Sequence, residues 1–250
     1  VALQVLGLPT IICETPQWPY PAATTRFDLT LRGEPVEYFG VPPTYRFIPS
    51  WENVDVSEAP AAGGTLVEVT GDGFDASQDV RCVFTSRGGY GFSSRAVVNT
   101  TSSLSCDTPF WDAGEEVATF SLLSPSEGLA LFTPSSDASD AFSFYARWTE
   151  LLLPRGPDAR SAKGGVVVRL QGYGFNVSAP RGWYACVWSL DSNYSSPSSD
   201  DVSAVVDAQV VSSILLECVT PRWGDMFASE NATLHLVADG RLIPDSQLFG

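Results

Sequence analysis

The sequence predicts an all-β fold, with β-sandwich units repeated in tandem along 250 residues. One observation is internal repetition. The hexapeptide Cys13-Glu14-Thr15-Pro16-Gln17-Trp18 returns as Cys106-Asp107-Thr108-Pro109-Phe110-Trp111. It returns again as Cys218-Val219-Thr220-Pro221-Arg222-Trp223, so C-x-T-P-x-W recurs at intervals of 93 and 112 residues. A second observation is strand-like alternation between these landmarks. A third is punctuation: 18 Pro and 21 Gly interrupt the chain at strand-length intervals that long helices do not tolerate.

The elements follow in order. Thr44-Tyr45-Arg46-Phe47 closes a first unit that holds only the second half of the repeat. Gly63-Gly64 opens the next unit, and Thr65-Leu66-Val67-Glu68-Val69-Thr70 is a β-branched strand ending at Gly71-Asp72-Gly73-Phe74. Cys82-Val83-Phe84 follows, then C-x-T-P-x-W, then Ala118–Leu122 and Ala141-Phe142-Ser143-Phe144-Tyr145 as closing strands. The order repeats with Gly164-Gly165, the strand Val166–Leu170, Gly172-Tyr173-Gly174-Phe175, Cys186-Val187-Trp188, and the strand Ala232–Val237. Boundaries are therefore expected at 1–46 for a half unit, 47–146 for a complete unit, and 147–250 for a unit whose last strand begins near Phe249. A unit of about 100 residues is the size of one small sandwich. The Ser/Asp stretch from Ser189 to Asp201 reads as a long exposed loop.

Composition excludes several functions. The formal net charge is −15 and no Lys/Arg-rich run occurs, which argues against nucleic acid, whose phosphates are bound by Lys and Arg. The single histidine, His235, excludes zinc sites built on several His ligands. No apolar run approaches the ~18 residues of a membrane span. Val1–Cys13 lacks the basic region and cleavage site of a signal peptide, and the only methionine is Met226, so the segment is expected to be part of something longer. Four Asn-x-Ser/Thr sequons, at Asn99, Asn176, Asn193 and Asn231, together with a single lysine, Lys163, favour the secretory route.

Five cysteines fit the repeat. Each complete unit carries one cysteine after its GxGF turn and one opening C-x-T-P-x-W, which pairs Cys82 with Cys106 and Cys186 with Cys218. Cys13 is then the second cysteine of a half unit, with no partner in the segment. Metal clusters want closely spaced ligands, and no two cysteines lie closer than 24 positions, so disulfides in an oxidising compartment are preferred.

The order GG, GxGF, C-x-aromatic, C-x-T-P, strand, F-x-aromatic resembles the IPT/TIG family. These are immunoglobulin-like, early-set β-sandwiches found in tandem in plexins, hepatocyte-growth-factor-type receptors and fibrocystin-like proteins. The resemblance spans nearly the whole chain and implies sandwiches arranged end to end. The family also includes the dimerisation domains of Rel-type transcription factors and accessory domains of starch-acting enzymes. Acidic charge and paired cysteines point away from the Rel-type branch. The chain departs from the family pattern in its Ser189–Asp201 insertion and in Trp188, where Phe is common. Its Ala/Ser/Pro-rich, Lys-poor composition resembles that of large extracellular proteins of green algae.

Candidate chemistry is thin. The GxGF motifs lack the following helix and Lys-Ser/Thr of a phosphate loop, and read instead as tight turns with the Phe turned into the core. Asp72–Asp79 lacks the helices and closing Glu of an EF-hand, leaving a loosely built calcium site between units as a weaker candidate. His235 sits within an alternating strand with no G-x-S-x-G elbow. The doublets Glu115-Glu116 and Asp200-Asp201 would point to opposite faces of a strand and make poor acid–base pairs. Trp18, Trp111 and Trp223 are expected to pack against a disulfide or a neighbouring unit, with a glycan-stacking platform as the alternative. Trp148, at the junction Tyr145-Ala146-Arg147-Trp148, offers an aromatic surface to set the angle between units.

The reading is a non-enzymatic, structural or adhesive segment of a large secreted or cell-surface glycoprotein, a rod of disulfide-pinned sandwiches. Its expected partners are proteins: neighbouring repeats, copies of itself or a surface receptor. The alternative is an accessory carbohydrate-binding segment of a polysaccharide-acting enzyme. No cofactor, metal or nucleic acid is expected.

Overall fold

The structure, a computed structural model, describes residues 4–6, 10–38, 40–125, 129–131, 139–156, 161–190, 203–225 and 232–245. Asn193, Asn231, the doublet Asp200-Asp201 and most of the Ser189–Asp201 stretch lie outside them. Among the described residues there is no α-helix, and the chain is built of strands in sandwich units.

The first segment carries β1 (Gln4–Leu6), β2 (Thr10–Ile12), β3 (Thr24–Arg26), β4 (Thr30–Leu31), β5 (Glu34–Pro35) and β6 (Thr44–Arg46). They pair two by two, β1 with β2, β3 with β6 and β4 with β5. None of residues 11–38 and 40–50 is buried.

The middle unit contains β7 (Ser50–Val54), β8 (Glu58–Pro60), β9 (Leu66–Asp72), β10 (Arg81–Thr85), β11 (Gly91–Arg95), β12 (Val97–Thr100), β13 (Ser103–Asp107), β14 (Glu116–Ser124), β15 (Leu129–Leu131) and β16 (Ala141–Tyr145). One sheet runs β12-β13-β9-β7 and the other β11-β10-β14-β16-β8, with β15 on β14. The β16–β8 pair is parallel; the other pairings in these sheets are antiparallel. This is the two-sheet arrangement of an immunoglobulin-like sandwich.

Period-two alternation builds the core. In β9, Val67, Val69 and Gly71 point inward while Leu66, Glu68 and Thr70 point out. Against them pack Trp51, Phe84, Phe120 and Phe144, all nearly or fully excluded from solvent. Burying each such aromatic contributes roughly 1.5–3 kcal/mol.

The last unit contains β17 (Arg147–Leu152), β18 (Val167–Tyr173), β19 (Tyr184–Ser189), β20 (Ser203–Ser212), β21 (Leu215–Val219), β22 (Thr233–Ala238) and β23 (Arg241–Ile243). Here the strand order is continuous, β17-β18-β21-β20-β19-β22-β23. The ten-residue β20 pairs with β19 at its start and with β21 at its end, spanning both sheets. In the middle unit the same path is split into β11 and β12 at Ala96, whose N–H donates to the Val80 carbonyl. A separate core forms around Val168, Leu170, Phe175, Leu216 and Leu236.

Disulfides join Cys82 in β10 to Cys106 in β13, and Cys186 in β19 to Cys218 in β21, with Cα–Cα separations of 6.5 and 6.4 Å. Each links strands of opposite sheets. Cys13 is half-buried and in no disulfide among the described residues.

The structure corrects two expectations. The first glycine of GxGF is not in a turn: Gly71 and Gly172 lie inside β9 and β18, opposite Trp51 and Trp148. A side chain there would collide with the backbone of Ser50 and Trp51, or of Arg147 and Trp148, where the partner strand bulges inward. Trp148 does not fix the angle between units. It packs on the core of its own unit, because β17 pairs along β18 and turns that ring inward.

Candidate functional site

The repeated motifs meet in space, and they do so at two kinds of contact. The first lies within a unit. Thr65 N–H donates to the Thr108 side-chain oxygen at 3.0 Å, Gly64 N–H to the Thr108 carbonyl, and Thr108 N–H to the Thr65 carbonyl. The last unit repeats this with Val166, Gly165 and Thr220. Gly63 packs so tightly on Pro109 that an added Cβ would sit 2.7 Å from its backbone carbon. The GG and C-x-T-P motifs are thus two halves of one clasp closing the end of the sandwich.

The second contact lies between units. The loop that follows C-x-T-P-x-W receives the GxGF turn of the next unit. At the first joint, Ala22 N–H donates to the Gly73 carbonyl at 2.9 Å, and the Thr101 hydroxyl donates to the Pro19 carbonyl at 3.4 Å. At the second, Glu115 N–H donates to the Gly174 carbonyl at 3.0 Å, and the Ser213 hydroxyl donates to the Asp112 carboxylate. The positions correspond. Pro19 and Asp112 each lie six residues past Cys13 and Cys106, while Ala22 and Glu115 lie nine past them. Thr101 and Ser213 each lie five residues before Cys106 and Cys218.

Both turn glycines have left-handed backbones, φ +76° at Gly73 and +75° at Gly174. The second joint is the tighter one. A Cβ on Gly174 would lie 2.8 Å from the Ala61 methyl and 3.1 Å from Ala146 Cα, whereas on Gly73 the nearest atom is 3.4 Å away. The Phe110 and Tyr173 rings meet edge to face across the second joint, with centroids 6.1 Å apart.

A cleft of about 540 Å³ opens beside the second joint, walled by Glu58, Glu115 and Tyr145 from the middle unit and by Asn176, Trp183 and Arg241 from the last. Tyr184 lies on its floor and accepts a hydrogen bond from Asn176 N–H at 2.9 Å. Burial raises the Tyr184 hydroxyl above its ordinary pKa of 10.0; the Asn176 hydrogen bond opposes this, and the nearby Glu115 charge adds to it.

The other candidate residues are placed as follows. Trp111 is fully buried, stacked on Phe144 at 4.3 Å with its indole N–H on the Gly114 carbonyl. Trp223 is also buried, and half-buried Trp18 stacks on Phe47 at 4.3 Å. Trp111 and Trp223 therefore present no face on which a sugar could stack, because the loop after C-x-T-P folds its aromatic residue inward. Asn99 is exposed on β12, and Asn176 is half-buried at the joint. His235 faces Val187 across the β19–β22 pair. Among the described residues, no group of three His, Cys, Asp or Glu side chains is arranged to hold a metal ion. No described helix is long and apolar enough to cross a membrane. Sequence reasoning placed Ala146 at the junction but missed Asp112 and Ser213 as joint residues; only their equal offsets from the cysteines could have pointed to them.

No known family model matches the sequence, and no curated protein sequence matches it. Among solved structures, the chain is similar to the Plexin A4 full extracellular region, at 12% identity over 78% of this chain and 26% of that one, with a TM-score of 0.28. It is similar to a tetra-tandem repeat in the extending region of a large adhesion protein, at 13% identity over 78% of this chain and 47% of that one, with a TM-score of 0.32. It is also similar to a DUF4785-family protein from Legionella pneumophila, at 13% identity over 76% of this chain and 52% of that one, with a TM-score of 0.27. The chain thus spans about a quarter to a half of the length of these structures.

Proposed function

We propose that this chain is a non-enzymatic spacer segment of a secreted or cell-surface glycoprotein, built of IPT/TIG-like sandwiches and serving adhesion or an extracellular coat. The observation that carries the reading is the repeated joint. Two successive junctions share one backbone hydrogen bond, and each adds a hydroxyl bond between positions at the same offsets, to a carbonyl at Pro19 and to a carboxylate at Asp112, so each unit is seated on its predecessor rather than tethered by a flexible linker. A seat of that kind passes orientation along a chain of units and holds whatever they carry at a set distance. Two disulfides, four sequons and a net charge of −15 suit an oxidising, extracellular setting in which nonspecific sticking is limited. The partners are neighbouring repeats, further copies of the chain or a surface receptor.

Small-angle scattering tests the reading. A compact globule of 250 residues has a radius of gyration of about 18 Å. An end-to-end spacer gives a clearly larger value that does not change with salt; a value near the globular one overturns it.

A further inference from the structure

The turn after each GxGF motif is built twice with the same geometry but from different side chains. In the middle unit, the Asp75 carboxylate accepts a hydrogen bond from Ser77 N–H at 2.8 Å, and the Asp75 carbonyl accepts from Gln78 N–H at 3.1 Å. In the last unit, Asn176 Oδ1 accepts from Ser178 N–H at 2.9 Å, and the Asn176 carbonyl accepts from Ala179 N–H at 3.1 Å. Asp and Asn oxygens serve such a turn equally well, so the turn does not require asparagine at 176. What asparagine adds is the sequon Asn176-Val177-Ser178, which Asp75-Ala76-Ser77 is not.

That asparagine stands on the wall of the 540 Å³ cleft between units. Its backbone is held in place, since its N–H is donated to Tyr184, and Gly114 approaches so closely that a Cβ there would lie 3.0 Å from Asn176 Cα. Opposite functions line the same space. Trp183 keeps 38% of its surface exposed, while Glu58, Glu115 and Arg241 supply acceptors and a donor fork. An aromatic face beside charged hydrogen-bonding groups suits a sugar, whose ring carries an apolar face and a rim of hydroxyls. The volume lies within the roughly 300–1,000 Å³ of small-ligand sites.

We propose that Asn176 carries an N-glycan whose first sugars fold back into this cleft, so that carbohydrate completes the joint between the middle and last units. The inference rests on the secretory reading above. The donor is an oligosaccharyl polyprenyl diphosphate: the bond from Asn176 Nδ2 to the first sugar's anomeric carbon forms, and the sugar–phosphate bond breaks. The polyprenyl diphosphate leaves, and the amide gives up one proton. Once attached, the sugars are held beside the cleft at millimolar effective concentration, which populates contacts too weak to capture free saccharide.

The test uses the chain secreted from eukaryotic cells. Glycopeptide mass spectrometry reads occupancy at Asn99 and Asn176, and timed digestion of the folded protein with an amidase that cleaves at the Asn–sugar bond reads accessibility. The expected result is occupancy at both positions, with release from Asn176 at least ten-fold slower than from exposed Asn99. The difference should vanish in Trp183→Ala and in denatured protein. Ser178→Ala removes the sequon but keeps the turn, because Ser178 contributes only its backbone N–H to it; this variant should show a broader distance distribution between the two units. An occupied Asn99 with a bare Asn176, or equal release from both, overturns the inference alone. Both asparagines bare overturns the secretory reading, and the inference with it.

Discussion

Replacing Gly174 with alanine tests the joint at its tightest point. Two costs arise. Alanine in a left-handed backbone at φ +75° costs about 1–2 kcal/mol. The new methyl would stand 2.8 Å from the Ala61 methyl and 3.1 Å from Ala146 Cα, an overpacking worth about 1–3 kcal/mol. The total is about 2–5 kcal/mol if the joint stays closed. Gly165→Ala provides the control, because its φ is +79° and nothing lies within 4 Å of the added methyl. It should lose only the backbone share, about 1–2 kcal/mol. Since Ala61 belongs to the middle unit, the strain in Gly174→Ala can be relieved by moving the last unit away, at the expense of the Glu115–Gly174 and Ser213–Asp112 hydrogen bonds. Spin labels at exposed Ser93 and Gln209, in a Cys13→Ser background, would report the separation by electron double resonance, and urea unfolding would report stability. Gly174→Ala should broaden and lengthen the distance distribution while Gly165→Ala leaves it unchanged. Identical distances and identical unfolding in the two variants would refute the claim that this turn seats one unit on the other.

Two further outcomes are expected. Replacing Cys186 and Cys218 together by alanine opens a loop of 32 residues and should lower the last unit's stability by about 3–4 kcal/mol, read by urea unfolding, with the middle unit's transition unmoved. Tyr184 has a raised pKa in the folded chain, so the unfolded chain loses that proton first as pH climbs past 10.0. Its stabilising share is complete below that pH and is lost as pH rises through the folded value. The stability of the native chain should therefore fall more steeply above pH 10 than that of Tyr184→Phe, and parallel curves would contradict the burial assigned to this hydroxyl.

Much of the fold is legible in the sequence because its determinants are local. Val67, Glu68 and Val69 declare a half-buried strand by alternation alone. The GG, GxGF and C-x-T-P landmarks keep their order, and that order places Cys82 near Cys106 and Cys186 near Cys218 without reference to coordinates. The inward turn of Phe74 and Phe175 was equally readable, since both are apolar residues closing a glycine turn and both are buried.

The direction of the larger aromatics and the make-up of the joint were not readable in that way. Trp111 and Trp148 are each compatible with an inward or an outward ring. The decision came from Phe144, which stacks on Trp111, and from the β17–β18 pairing, which turns Trp148 into its own unit. The joint pairs Asp112 with Ser213 across 101 residues, and sets the Ala61 methyl against the bare backbone of Gly174, contacts that strand alternation does not mark. What the sequence by itself determined about this protein is the strand class, the repeat and the cysteine register, because each depends on neighbours along the chain. What only the tertiary structure decided is which loop receives which turn, because packed units are complementary in shape, and shape arises only after distant strands have closed around their cores.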